Sequence, residues 1–206
     1  TAALAALLWL CGAREPRPWA GAAVARGLVL AVPAAAIPGL AEECLFRGVL
    51  LGALLRDRRT WFAVVVATAV YVAFHFFDGR SPVGLGWDAW VGFRTAGACA
   101  AFSVTRPAAA SLALGLAGVG AALAAACMRS GGLYLPIGLH AGWVFGVKAA
   151  NVFFHTSVAE SEVWLYGSRA MVDGLAVWIV AVPVALAVWA VRRPERARGG
   201  GDVTAA

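Results

Sequence analysis

The sequence predicts an all-α fold, a polytopic membrane helix bundle with about six spans, and three observations predict it. First, 62% of the 206 residues are hydrophobic and only 14% are charged, against roughly 45–50% and about 25% in a soluble domain. A water-soluble chain of this size could not bury so much apolar surface, whereas a bilayer accommodates it. Second, the apolar residues fall in runs of spanning length, about 17–25 residues. Third, the net charge of +6 comes from 16 Arg and one Lys against 11 acids, and these arginines gather at the ends of the apolar runs. Arg56, Arg58 and Arg59 flank one run, and Arg192, Arg193, Arg196 and Arg198 follow the last. Basic residues mark the cytoplasmic side of membrane proteins in this way. They are not the stripe of a nucleic-acid binder, and no nucleic-acid partner is expected.

The elements follow in order. Residues 1–12 form a partial span, and the chain, which opens at Thr1, is expected to be a fragment with its N-terminal part missing. A loop carries Arg14, Glu15, Pro16, Arg17 and Pro18. A long helical stretch over 26–55 is expected to be interrupted at Pro33 and at Pro38-Gly39, since proline removes a backbone donor and clashes with the preceding turn. Further spans are expected at 61–77, 107–128, 133–154 and 172–191, with a polar connection at 78–106. Placing Arg56–Arg59 inside also puts Arg129 and the 192–198 cluster inside, and the loop 155–171 with Glu160 and Glu162 outside. Residues 1–192 form a single transmembrane domain, and 193–206 a basic, Gly-rich disordered tail. Cys11, Cys44, Cys99 and Cys127 have no metal or redox spacing and are expected to be small buried hydrophobes. Trp61, Trp87, Trp90, Trp164 and Trp189 suit interfacial belts. The small residues between Leu112 and Ala126 suit close helix packing.

Chemistry is expected where ionisable groups enter these spans, because each costs about 2.5 kcal/mol or more at membrane depth. Glu42 and Glu43 follow Pro38-Gly39 at what the pattern makes the start of an apolar helix. Adjacent helical residues point about 100° apart, so the two carboxylates have different roles. Glu43 stands four residues before Arg47, the spacing of an ion pair on one helix face, which leaves Glu42 as the less compensated acid, suited to act as a general base on water. The bland alternative is that both acids simply favour a helix N-terminus. His75, with Tyr71 one turn earlier, and His140 lie in two other apolar segments. A lone histidine there is usually a satisfied core residue; two of them with an acidic pair form a polar cluster. His155 is interfacial and is left out. The solitary Lys148 can snorkel to the interface.

Glu42-Glu43-x-x-x-Arg47, Tyr71-x-x-x-His75 and the later His140 resemble the CPBP family of intramembrane proteases, also called the Abi or CAAX-protease family, related to the type II CAAX prenyl endopeptidases. The resemblance covers roughly residues 20 to 150. It implies an intramembrane endopeptidase that hydrolyses a peptide bond of a membrane-embedded or membrane-anchored protein. Glu42 and His75 would activate the attacking water, Glu43 with Arg47 would support the site, and His140 would stabilise the oxyanion; Trp143 could lend an indole N–H. The family is described both as metalloproteases and as metal-free glutamate enzymes. A metal-free mechanism is favoured here because no His-Glu-x-x-His helix is present; a zinc ion, if used, would take Glu42, His75 and His140. The position one turn beyond His140, where the family often has Asn or Asp, is Val144. That supports the alternative function, a catalytically silent membrane chaperone, immunity or assembly factor on the same scaffold. The Arg- and Ala-rich composition points to a bacterial plasma membrane.

Overall fold

The computed structural model describes residues 2–18, 20–76, 97 and 109–190. Apart from Gly97, the expected connection at 78–106, with Trp87, Trp90 and Cys99, and the tail at 193–206 lie outside the described residues. The described part is mostly helical: α1 (Ala2–Leu10), α2 (Gly21–Glu43), a π-helical stretch (Cys44–Leu51), α3 (Gly52–Asp57), α4 (Thr60–His75), α5 (Ala109–Ser130), α6 (Tyr134–Phe153), the short α7 (Val163–Tyr166) and α8 (Trp178–Ala190).

Gly21 to Asp57 forms one continuous rod of 37 residues, and this corrects the expectation of breaks at Pro33 and Pro38-Gly39. Both prolines lie inside α2. Membrane helices tolerate proline because neighbouring groups and local adjustment satisfy the freed carbonyls. The irregularity falls instead at Cys44–Leu51, where the helix widens to π geometry, a device found frequently at functional sites. Glu42 and Glu43 therefore sit in mid-rod, against the turn that widens, and not at a helix start. The favourable N-terminal dipole invoked for them is absent there.

Two described helices are long and apolar enough to cross a membrane, Gly21–Asp57 and Ala109–Ser130; Thr60–His75 and Leu175–Ala190 are apolar but shorter. The outward faces carry large apolar side chains such as Ile37, Val49, Phe74 and Leu186. Trp61, Trp164 and Trp189 are exposed near helix ends, as an interfacial belt requires. The cysteines depart from expectation: Cys11 and Cys44 are exposed and Cys127 is half-buried. On a lipid-facing surface a small apolar side chain has no need of burial.

The helices pack closely because small residues line their contacts. The most extensive contact is between α2 and α6. A Cβ on Gly39 would lie 2.9 Å from the Ala141 side chain and 3.0 Å from its backbone nitrogen, so only glycine permits this approach. On α5, a side chain at Gly115 would collide with the Val172 carbonyl. Buried Phe46 and Tyr71 meet edge to face, with ring centroids 5.3 Å apart, and join the rod to α4. The expected loop at Arg14–Pro18 holds a short strand, β1 (Arg14–Pro16), antiparallel to β2 (Phe154–Thr156) with Glu15 opposite His155. His155 Nε2 lies 3.0 Å from Glu15 Oε2 in an exposed pair, which agrees with its interfacial placement.

Candidate active site

The rod, α4 and α6 bring Glu42, Glu43, His75 and His140 together. The two glutamates have different environments. Glu43 is completely buried, and its Oε1 accepts from Arg47 Nη1 at 2.9 Å and from His140 Nδ1 at 2.8 Å. Arg47, also buried, spends Nη2 on the Gly120 carbonyl of α5 at 3.0 Å and lays its guanidinium over the Tyr71 ring, 4.6 Å from the centroid. A cation over an aromatic face is attracted to its quadrupole. One buried ion pair thus ties together the rod, α4, α5 and α6. Hydrogen bonds to the remaining atoms offset the burial cost of such a pair; here Arg47 Nη2 is satisfied, whereas Glu43 Oε2 is buried without a hydrogen bond among the described residues.

Glu42 faces the other way. Its Oε2 is shielded from solvent and has no hydrogen-bond partner among the described residues. It lies 3.7 Å from His75 Nε2 and 3.9 Å from His140 Nε2, too far for direct hydrogen bonds yet close enough for all three atoms to share one water. The ring orientations are fixed from behind. His75 Nδ1 is 2.9 Å from the Tyr71 carbonyl; a carbonyl only accepts, so Nδ1 carries the proton and Nε2 turns toward Glu42. His140 is oriented in the same way by Glu43. An unpaired buried acceptor is costly, and here it points at two imidazole nitrogens.

The histidines open onto a cavity of about 370 Å³, lined also by Tyr71, Trp143, Val144, Lys148, Asn151 and Arg169. Trp143 packs against the core of α1 and α6 as well. Val144 faces the cavity and supplies no donor. Asn151, at the far end, is held by Arg14 Nη1 at 3.0 Å and donates to the Arg169 carbonyl at 2.8 Å. Arg14 is buried, and burial, then the neighbouring Arg169 charge, hold its guanidinium below the ordinary range. Glu42, His75 and His140 offer zinc-ligand donor types, yet as placed no group of three His, Cys, Asp or Glu side chains among the described residues could hold a metal ion. No step below passes through a metal.

Spacing anticipated the Glu43–Arg47 pair and the meeting of the acids with both histidines. It did not anticipate the Gly120 carbonyl, for which a glycine within a small-residue run gives no signal. Nor did it anticipate buried Arg14, whose partners lie more than 130 residues away.

The scaffold of apolar helices thus brings two acids and two imidazoles together, with both imidazoles lining a cavity. Residues 24–146, more than half of the chain, match the family model described as type II CAAX prenyl endopeptidase Rce1-like, and the chain belongs to that family. The family is membrane-embedded and consists of CAAX-type peptidases acting on membrane-associated proteins. No curated protein and no solved structure matches the chain. Glu42, Glu43, Arg47, Tyr71, His75, His140, Trp143 and Val144 all fall within the matched residues; Lys148, Asn151 and Arg169 fall beyond them.

Proposed function

We propose that this chain is an intramembrane endopeptidase that cleaves a peptide bond of a membrane-associated protein by water activated at Glu42 and His75, without a metal. The observation that carries this is the partnerless Glu42 Oε2, 3.7 Å from His75 Nε2 and 3.9 Å from His140 Nε2. A water beside these atoms donates one proton to Glu42 and is oriented by His75. Its oxygen attacks the scissile carbonyl carbon while Glu42 takes the proton. His140, its Nδ1–H on Glu43, presents Nε2 to the developing oxyanion and stabilises it when that nitrogen is protonated. As the C–N bond breaks, Glu42 returns its proton to the leaving amine. Glu43 and Arg47 keep His140 in place.

The same proposal takes residues 1–192 as one transmembrane domain of about six spans, in a bacterial plasma membrane. Thr60–His75 rises about 24 Å, short of the roughly 30 Å hydrocarbon core, so some spans include residues beyond the described helix ends. The test is cleavage of a tethered peptide reporter by purified protein. Glu42→Gln should abolish it with the melting temperature unchanged; full activity in that variant would refute the mechanism. A second reading, a silent scaffold, draws support from Val144, which puts an alkyl group beside His140 in the cavity. It predicts an intact reporter with the wild-type chain.

A further inference from the structure

Between α7 and α8, residues 167–174 fold back on themselves. A Cβ on Gly174 would lie 2.1 Å from the Gly167 nitrogen, so the two ends touch, and the Ser168 backbone N–H donates to Asp173 Oδ1 at 2.8 Å. A compact segment whose ends meet is an Ω-loop, a form frequently functional. Gly167, Met171 and Gly174 are its buried feet. Met171 enters the core beside Leu4 and Leu8 of α1, and Ser111 of α5 donates to the Asp173 carbonyl at 2.5 Å. Between the feet the loop is open to water. Arg169 and Ala170 are exposed and also line the cavity that holds His75 and His140, so they form its rim. The residues flanking this rim both have left-handed backbone, Gly167 at φ 81° and Met171 at φ 54°. A side chain is disfavoured there, so the packing around Met171 imposes its conformation.

Side chains from two distant parts of the chain hold the rim in place. Arg14 Nη2 donates to the Ser168 carbonyl at 3.1 Å, and Asn151 Nδ2 donates to the Arg169 carbonyl at 2.8 Å. The two holders are also bonded to each other, Arg14 Nη1 to Asn151 Oδ1 at 3.0 Å. A guanidinium presents its donors in a planar fork, which lets one buried side chain serve both acceptors. We infer that residues 168–170 are a lid on the cavity and that Arg14 and Asn151 are its latch. Latched, the rim is drawn over the end of the cavity at Asn151, about 16 Å from His140 along α6. Released, it swings on Gly167 and Met171 and admits water and solutes at that end. Hinges of this kind are a few loop positions that absorb a change in φ and ψ. Arg14 stands in β1, paired with β2 at the end of α6, so the N-terminal segment reaches across to control access to a site built from other helices. Latch and lid all lie outside residues 24–146, and the device is an addition to the segment that the family model covers. The inference rests on the peptidase reading only for what the lid guards.

Access is read at a thiol placed in the cavity wall by Val144→Cys. A membrane-impermeant maleimide is applied to the full chain in nanodiscs, and mass spectrometry of the digest separates modification at position 144 from that at the native cysteines. Amide hydrogen exchange is followed in parallel on the chain with its native Val144. With the latch made, the thiol should react at least about tenfold more slowly than a free cysteine peptide. Asn151→Ala and, separately, Arg14→Gln should each speed the reaction about five- to tenfold, the worth of one or two lost hydrogen bonds. Exchange at the Ala170 and Met171 amides should rise by the same factor, with protection in α5 and around His140 unchanged. Asn151 is only half-buried, so its variant keeps the test open if buried Arg14 is needed for folding. Rapid reaction in the latched chain, or a rate that Asn151→Ala leaves unaltered, overturns the inference. Protection lost across α5 and the His140 turn overturns it too, since the network would then be purely structural. Faster reaction in the latch variants, with no reporter cleavage by the wild type, would sink the peptidase reading and leave the lid standing; cleavage with an unaltered rate does the reverse.

Discussion

Glu42 and Glu43 are neighbours in sequence, and the regions they enter could hardly differ more. On the Glu43 side the groups are tied together: carboxylate Oε1, guanidinium and imidazole are buried and bonded to one another, with a backbone carbonyl and an aromatic face beside them, while Oε2 is buried without a hydrogen bond among the described residues. On the Glu42 side an equally charged group is left without a hydrogen bond, facing two ring nitrogens at the edge of a cavity. The Glu43 side has the character of architecture, since it links four helical segments. What distinguishes the open side is that its unsatisfied oxygen faces two imidazole nitrogens at distances one water can bridge. One residue of offset, about 100° on a helix, separates support from chemistry.

This contrast can be broken experimentally. The largest effect is expected at Glu42: replacement by Gln should lower kcat by about 10²–10⁴, the range of general acid–base catalysis, with the melting temperature in detergent unaltered. Glu43→Gln should do the reverse in emphasis. Leaving Arg47 buried without its counter-charge should destabilise the fold by about 3–5 kcal/mol, read as a marked fall in thermal stability, with activity lost along with it. If Glu43→Gln melts like the wild type, the Glu43 side is not structural. A smaller effect is expected where α2 and α6 touch. Gly39→Val would overpack the contact with Ala141 and cost about 1–3 kcal/mol, measurable by thermal shift. Smallest is Val144→Asn, which introduces a polar group beside His140. It should raise the rate on a peptide reporter by about two- to tenfold, below the roughly 10²–10³ of an optimally aligned oxyanion donor. A fall in rate would show that the cavity needs its apolar wall there.

Much of this was legible in the sequence, for identifiable reasons. Periodicity and spacing are local properties, so the helical class, the segments around 61–77, 107–128 and 133–154, and the Glu43–Arg47 pair could be read directly. The convergence of Glu42 with His75 and His140 could be argued because isolated ionisable groups in lipid are costly and tend to meet. What was not legible depends on long-range contact or on subtle backbone geometry. Pro33 and Pro38 suggested breaks, but the rod runs on, because its surroundings and not its propensity decide. The pairing of Arg14–Pro16 with Phe154–Thr156 joins three residues to three others far along the chain, too little for any pattern to signal. Cys11 and Cys44 were expected inside because burial in water means an interior, whereas in a bilayer an apolar side chain can face outward.

The widened turn at Cys44–Leu51 carries a further consequence. A helix that uses an extra residue in one turn sets the rotation of everything before it relative to everything after it. Excising a single residue there would restore ordinary helical winding and swing the preceding rod by about 100°. Glu42 and Glu43 would then turn relative to His75 and His140 on the other helices, while every one of these side chains remained present in the sequence. Length conservation through this short stretch is thus a functional constraint of its own, separate from the identity of its residues.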